Sequence, residues 1–203
     1  MNKIIKNTLI LTAITVVSGF LLGIVYDVTK EPIAQAQERT KQKAFQTVLS
    51  EASEFKTYEA FDEKEAAEIL KENGYTDDIT EVAEAVDKNG ETIGYVINVT
   101  SHEGYGGDIE ISVGIASDGT VKGIEMLSIG ETAGLGMKAK DAEFKDQFRD
   151  KKVEKFSYTK NGEKGEDKID AISGATITTS AVTNAVDSAL VYYQTELGGA
   201  INE

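Results

Sequence analysis

Two glycine-bearing stretches carry most of the chemical potential of this sequence. The first is Asp170-Ala171-Ile172-Ser173-Gly174-Ala175-Thr176, which leads through Ile177-Thr178-Thr179-Ser180 into a helix-forming run. Its small residues admit a bulky partner. Gly174 permits backbone angles closed to other residues, and exposed N–H groups at a helix start suit a phosphate. The GxxxxGK[ST] pattern of a P-loop is missing, so no lysine is set against phosphates. Two readings stand side by side: a phosphate-ligand site, or an elaborate N-cap supplied by Thr178, Thr179 or Ser180.

The second stretch is Gly130-Glu131-Thr132-Ala133-Gly134-Leu135-Gly136, after a run that reads as a strand ending near Ile129. A polar pair followed by glycines and Leu135 suits a loop over a flat ligand; an ordinary strand-to-helix turn has the same composition. Gly104-Tyr105-Gly106-Gly107 adds an aromatic in a flexible stretch. Tyr105 is a ring-stacking candidate or a plain surface tyrosine.

Other chemistries are excluded or weak. The chain has no cysteine, so a disulfide, a thiolate nucleophile, an iron–sulfur cluster and a cysteine zinc site are all ruled out. The single histidine, His102, cannot build a His-rich metal site; beside Glu103 it reads as a solvated side chain, with a proton-transfer pair as the alternative. Asp77-Asp78 and Asp62-Glu63 lack EF-hand spacing and read as solvated faces. Acidic residues number 35 against 21 basic, a net charge of −14. Nucleic-acid binding, which draws its affinity from Lys and Arg on phosphates, is not expected.

The elements that must position these motifs begin with an anchor. Residues 7–26 run for 20 residues without a charge. As a helix they span about 30 Å, the thickness of a bilayer core. Thr8, Thr12, Thr15 and Ser18 dilute the apolarity, but a helix returns such hydroxyls to its own carbonyls. A cleaved signal peptide and a buried soluble helix are the rivals; the apolar run is longer than the usual 7–15 residues of a signal core, which favours a retained span. Basic residues flank both ends, so charge counting does not orient it. The short start and the long acidic remainder lean toward an external C-terminal domain. Residues 1–26 contribute +2, so the rest carries −16.

The chain thus divides into 1–27, a short cytoplasmic start and transmembrane anchor; 28–50, a helical connection with Pro32 near its start; and 51–203, an extracytoplasmic domain. In that domain 62–74 reads as a helix with Asp62 as cap, Glu65 closing a capping box and Gly74 at its end. Asn89–Gly90 and Asp118–Gly119 sit between extended runs and predict hairpins. Ile109, Ile111, Val113 and Ile115 alternate as in a strand with one buried face. A short helix is expected over 141–149, a strand over 153–159, and a last helix from about 179 to 196. The fold class is α+β: an N-terminal transmembrane helix, then a twisted antiparallel sheet flanked by helices.

At these residues the sequence resembles a known family, the G subunit of the Rnf electron-transport complex, which is similar to the C subunit of the sodium-pumping NADH:quinone reductase. The resemblance covers nearly the whole chain, to about residue 197. Its most specific mark is the flavinylation pattern D-x-x-[ST]-G-A-T, matched in full by residues 170–176. ETAGLG at 131–136, YDVTKEPI after the anchor and the GYGG loop also look like this family.

The resemblance implies an FMN-binding domain with FMN attached by a phosphoester to Thr176, and with Asp170, Ser173, Gly174 and Ala175 shaping the site. Glu131, Thr132, Gly134 and Leu135 would contact the flavin, and Tyr105 is the candidate from the residue reading to stack on its ring. A separate flavin transferase would make the bond from FAD with magnesium. Asp170 would organise the turn by accepting backbone N–H bonds. Members often carry a histidine just before the Glu-Thr pair; Ile129 and Gly130 stand here, so a proton relay through it is not expected. The implied partners are the other Rnf subunits, which couple electron transfer between ferredoxin and NAD+ to Na+ or H+ translocation. The chain alone would catalyse no full reaction. The competing readings are a membrane-tethered scaffold without redox function and an anchored flavoprotein feeding an extracellular reductase.

Overall fold

In the computed structural model, which describes residues 2–198, the chain forms two compact units, Met1–Thr40 and Lys41–Glu203. One helix, α1 (Asn2–Val48), supplies the described residues of the first unit and the first residues of the second. An 18-residue window of it has a mean hydropathy of 2.3, so α1 is long and apolar enough to cross a membrane. Several of its threonine hydroxyls are satisfied within the helix. Thr8, Thr15 and Thr29 donate to the carbonyls of Ile4, Leu11 and Val25, four residues back. Pro32 lies inside this helix and not near the start of a second one. A proline withholds a single N–H, and the intact ladder on either side outlasts that loss.

The second unit is built on a five-stranded antiparallel meander. Its strands, in spatial and sequence order, are β1 (Glu54–Thr57), β2 (Asp78–Val86), β3 (Thr92–Ser101), β4 (Ile109–Ala116) and β5 (Val121–Ile129). Helix α2 (Glu63–Glu72) sits between β1 and β2 in sequence. Asp62 caps it by accepting the N–H groups of Lys64 and Glu65. The capping box is half made, because no return bond from the Glu65 carboxylate is present among the described residues. Both expected hairpins form. Asp87 accepts the N–H groups of Asn89 and Glu91 in the β2–β3 turn, and Asp118 accepts that of Thr120 in the β4–β5 turn.

The sheet is covered on both faces, which the alternation in β4 did not reveal. Ile109, Ile111, Val113 and Ile115 are fully buried in the main core. That core is completed by Ala181, Val182, Ala185, Val186, Ala189 and Leu190 of α4 (Thr176–Tyr192). Burying each large aliphatic side chain there contributes about 1.5–3 kcal/mol. The opposite face carries a second cluster, in which Phe45, Val48, Leu49 and Ala52 pack on Ala83, Ala85 and Val96. Ser112, on that face of β4, is also buried and donates to Asn98 at 2.7 Å. Asn98 in turn donates to Glu81, and Glu81 pairs with Lys41 at 3.1 Å.

The remainder connects the sheet to α4. Helix α3 (Ala142–Lys145) and a tighter turn at 146–148 pack Phe144 and Phe148 edge to face, with centroids 5.7 Å apart. The strand expected over 153–159 shortens to β6 (Ser157–Thr159), which pairs in parallel with β7 (Lys168–Asp170). The sequence did not suggest β7, because three residues are too few for a periodic pattern.

Candidate functional site

Strand β7, a five-residue turn and α4 build the first half of the site. Ala171 donates to Thr159 O at 2.8 Å, which continues the β6–β7 pairing into the turn. Ala175 donates back to Ile172 O at 3.0 Å. Gly174 takes φ = 77°, the left-handed region that favours glycine. The helix then starts at Thr176, three residues earlier than expected, with Ala175 as its cap residue and no side-chain cap.

That start overturns the reading of Thr178, Thr179 or Ser180 as caps. The Thr179 hydroxyl accepts the Ile172 N–H at 3.0 Å and donates to Ala175 O at 2.9 Å. It fastens the turn to the helix from below. The first backbone bond of α4 is Thr179 N–H to Ala175 O. The N–H groups of Thr176, Ile177 and Thr178 therefore have no acceptor within the helix, and the positive end of the helix dipole faces outward. Thr176 itself is half-buried, while Ser173 and Gly174 are exposed.

The loop after β5 forms the second half. Leu135 and Met137 both donate to Thr132 O, which folds residues 132–137 into a compact turn. Gly136 is packed so tightly that a Cβ there would stand 2.6 Å from both Glu131 Oε2 and Thr178 Oγ1. A Cβ on Gly174 would stand 3.1 Å from Leu135 Cδ2. The two glycine motifs, about forty residues apart in sequence, thus touch at two points.

A third segment is tied in by charge. Glu131 is buried, and its Oε1 accepts the Tyr105 N–H at 2.7 Å and the Gly106 N–H at 3.3 Å. Charge-assisted bonds of this kind are among the stronger ones in proteins. The loop holding Tyr105 is braced by Glu103, which accepts from Asn184 of α4 at 2.7 Å. His102 does not pair with Glu103. Its ring nitrogens lie 2.9 Å from Asp78 and 3.0 Å from Asp108, and those two hydrogen bonds push its pKa up to about 9.

Of the ten candidate residues, Ser173, Gly174, Ala175, Thr176, Glu131, Thr132, Gly134 and Leu135 are gathered around the α4 start. Tyr105 joins through its backbone, while the residue as a whole is 73% exposed. With Leu135 at 43% and Ile177 at 52% exposed, it leaves apolar surface open on the segments that flank Thr176. Asp170 departs from expectation. Its carboxylate is exposed and accepts no hydrogen bond among the described residues; its backbone is held by Gln147 instead. Sequence reasoning missed Gln147, since no local pattern links it to a residue 23 positions away.

It also misread Asp77, which is buried and accepts from Ser188 at 2.7 Å. Asp187, likewise buried, accepts the Phe156 N–H at 2.8 Å. Each keeps one oxygen without a hydrogen-bond partner among the described residues. Burial raises both pKa values, that of Asp187 to about 7.

A phosphate-bearing aromatic fits this arrangement: free helix N–H groups, a threonine alcohol among them, and open apolar side chains alongside. The fold and the family match are those of an FMN-binding-domain protein. The FMN-binding domain family matches residues 104–191, and the RnfG N-terminal region matches residues 1–48. The solved C subunit of the Na(+)-translocating NADH-quinone reductase from Parabacteroides distasonis shares the fold, with a TM-score of 0.52 at 21% identity over 79% of this chain and 93% of that one.

More particularly, the chain belongs to the G subunits of ion-translocating oxidoreductase complexes. The G subunit of the Na(+)-translocating ferredoxin:NAD(+) oxidoreductase complex of Acetobacterium woodii is 34% identical over 94% of this chain and 92% of its own. The G subunit of the proton-translocating complex of Clostridium ljungdahlii is 33% identical over 98% and 96%.

Proposed function

We propose that this chain is the electron-carrying flavoprotein subunit of an Rnf-type ion-translocating complex, with FMN joined to Thr176 through a phosphoester. The observation that carries the reading is the position of Thr176. It opens α4 as the last residue of the DAISGAT motif, and among the described residues no side chain caps the N–H groups around it. The chain works with the other membrane subunits of its complex, and residues 51–203 form the domain outside the membrane. A single helix provides no pore, so the path of Na+ or H+ belongs to those partners.

Attachment is a phosphoryl transfer. The Thr176 Oγ1 bonds to the flavin-side phosphorus of FAD as the bond to AMP breaks, AMP leaves, and the hydroxyl proton passes to a base. An unassisted threonine is a weak nucleophile, so the base and the magnesium site belong to a flavin transferase. Exposed Ser173 and Gly174 leave the approach open. The free N–H groups of Thr176, Ile177 and Thr178 would receive the phosphate oxygens, and the Thr132–Leu135 turn would border the ring. FMN would supply one- and two-electron chemistry, and the residues around Thr176 would fix its place.

Intact-mass analysis of the chain coexpressed with a flavin transferase tests the reading. An FMN-sized adduct that disappears in Thr176→Val supports it, and tandem spectra separate Thr176 from Thr178 and Thr179. An unmodified wild-type chain under competent conditions overturns it. Protease added outside sealed cells should digest residues after 27; protection would reverse the orientation.

A further inference from the structure

Gln147 makes two hydrogen bonds to the backbone of Asp170. Its Oε1 accepts the Asp170 N–H at 2.6 Å, and its Nε2 donates to Asp170 O at 3.3 Å. This is the pattern one strand offers another, here supplied by a single side chain. Asp170 is the last residue of β7, whose other edge is paired to β6. The strand therefore enters the attachment turn held from both edges, and Thr179 holds the turn again at Ile172.

Gln147 stands next to a packed aromatic cluster. Its neighbour Phe148 is fully buried and stacks edge to face on Phe144 and Phe156. The surroundings also select an amide over a charged group. Gln147 lines a cleft of about 290 Å³ with Asp141, Glu143, Asp170 and Lys138. A carboxylate at 147 would face three others, and a lysine or arginine would offer no acceptor for the Asp170 N–H.

We propose that Gln147 is a positioning residue for modification of Thr176: by completing the free edge of β7 at Asp170, it sets the path of the 171–175 turn and so the placement of the Thr176 hydroxyl. This rests on the reading of Thr176 as the attachment point. Each bond is partly exposed and adds only modestly to global stability. Misplacing a reacting group by about 1 Å, by contrast, slows a positioned reaction by up to about 100-fold. The signature is therefore a reaction rate that falls without a matching fall in stability.

The test uses the full-length chain in nanodiscs, as wild type, Gln147→Leu and Gln147→Glu. Residue-resolved amide exchange on the unmodified protein should show the Asp170 N–H exchanging at least about tenfold faster in Gln147→Leu, with the Ala171 N–H, which β6 holds, unchanged. Gln147→Glu keeps the acceptor, so its Asp170 N–H should stay protected. With purified transferase at saturation and FAD and Mg2+ present, the initial rate of FMN addition should fall roughly tenfold in Gln147→Leu and less in Gln147→Glu, at thermal midpoints within a few degrees of wild type. Unchanged Asp170 exchange, or an unchanged rate, overturns the proposal, as does a rate loss that simply follows the loss of thermal midpoint. A wild-type chain that takes up no FMN overturns the attachment reading instead, and the exchange result still decides whether Gln147 holds Asp170.

Discussion

Leu135 closes over Gly174. A Cβ added at residue 174 would stand 3.1 Å from Leu135 Cδ2, closer than ordinary van der Waals contact. The contact joins the loop after β5 to the turn before α4, so neither glycine motif is complete alone.

Gly174→Ala should therefore carry two penalties. The left-handed φ of 77° disfavours any L side chain by about 1 kcal/mol or more, and the new methyl crowds Leu135. Thermal unfolding of Gly174→Ala should show a lower midpoint, and adding Leu135→Ala should restore only the part due to crowding. Full recovery in the double variant would mean that backbone strain plays no part.

Glu131 is predicted to order the Tyr105 loop. Removing its carboxylate leaves the N–H groups of Tyr105 and Gly106 without their acceptor. Glu131→Ala should lose about 1–3 kcal/mol of stability, and Glu131→Gln, which keeps one acceptor oxygen, less. Denaturant melts give the magnitude, and faster amide exchange confined to 105–106 identifies the cause. Exchange that is unchanged there would sink the assignment.

Asp187 should make stability fall with rising pH. Burial lifts its folded pKa to about 7, against roughly 3.9 in an unfolded chain. The folded state then binds the extra proton between those values, so stability is full below about pH 4 and declines until about pH 7. The decline is on the order of a few kcal/mol. Asp187→Asn keeps an oxygen for the Phe156 N–H and stays neutral. Melts from pH 4 to 8 should show its curve flatter than wild type and its stability greater at pH 8; parallel curves would refute this. Asp77, also raised by burial, adds to the same slope.

His102 works in the opposite range. Its bonds to Asp78 and Asp108 lift its pKa from 6.5 to about 9. Its contribution is complete below about pH 6.5 and is lost as pH rises through about 9. The site is largely exposed, so the effect is small and weakened by salt. Titration of the His102 ring by NMR should give a midpoint near 9 that falls toward 6.5 in Asp78→Asn/Asp108→Asn. A wild-type midpoint near 6.5 would remove the bridge.

Local patterns were legible where the cause is local. The hairpin turns, the Asp62 cap and the apolar stripe of α4 each depend on neighbours within a few residues, and all are present. The start of α4 was misplaced because hydroxyl residues after a glycine mimic a cap; here Thr179 points inward to Ile172 instead. Asp77 and Asp78 are adjacent and acidic, yet one is buried under α4 and the other is open on the surface beside His102. Composition cannot separate them, because burial is decided by what packs across.

The sequence by itself determined the parts: an uncharged 20-residue run, an alcohol-bearing DAISGAT turn, an ETAGLG loop and the absence of any thiol. Each follows from covalent identity and short-range order. Only the tertiary structure decided how they meet. The meander carries the end of β5 to the start of α4, Glu131 reaches Tyr105, Leu135 meets Gly174, and Gln147 finishes an edge that β7 lacks. Those contacts join residues 23 or more positions apart. Such pairs leave no periodic trace in the chain, because folding alone brings their atoms within bonding distance.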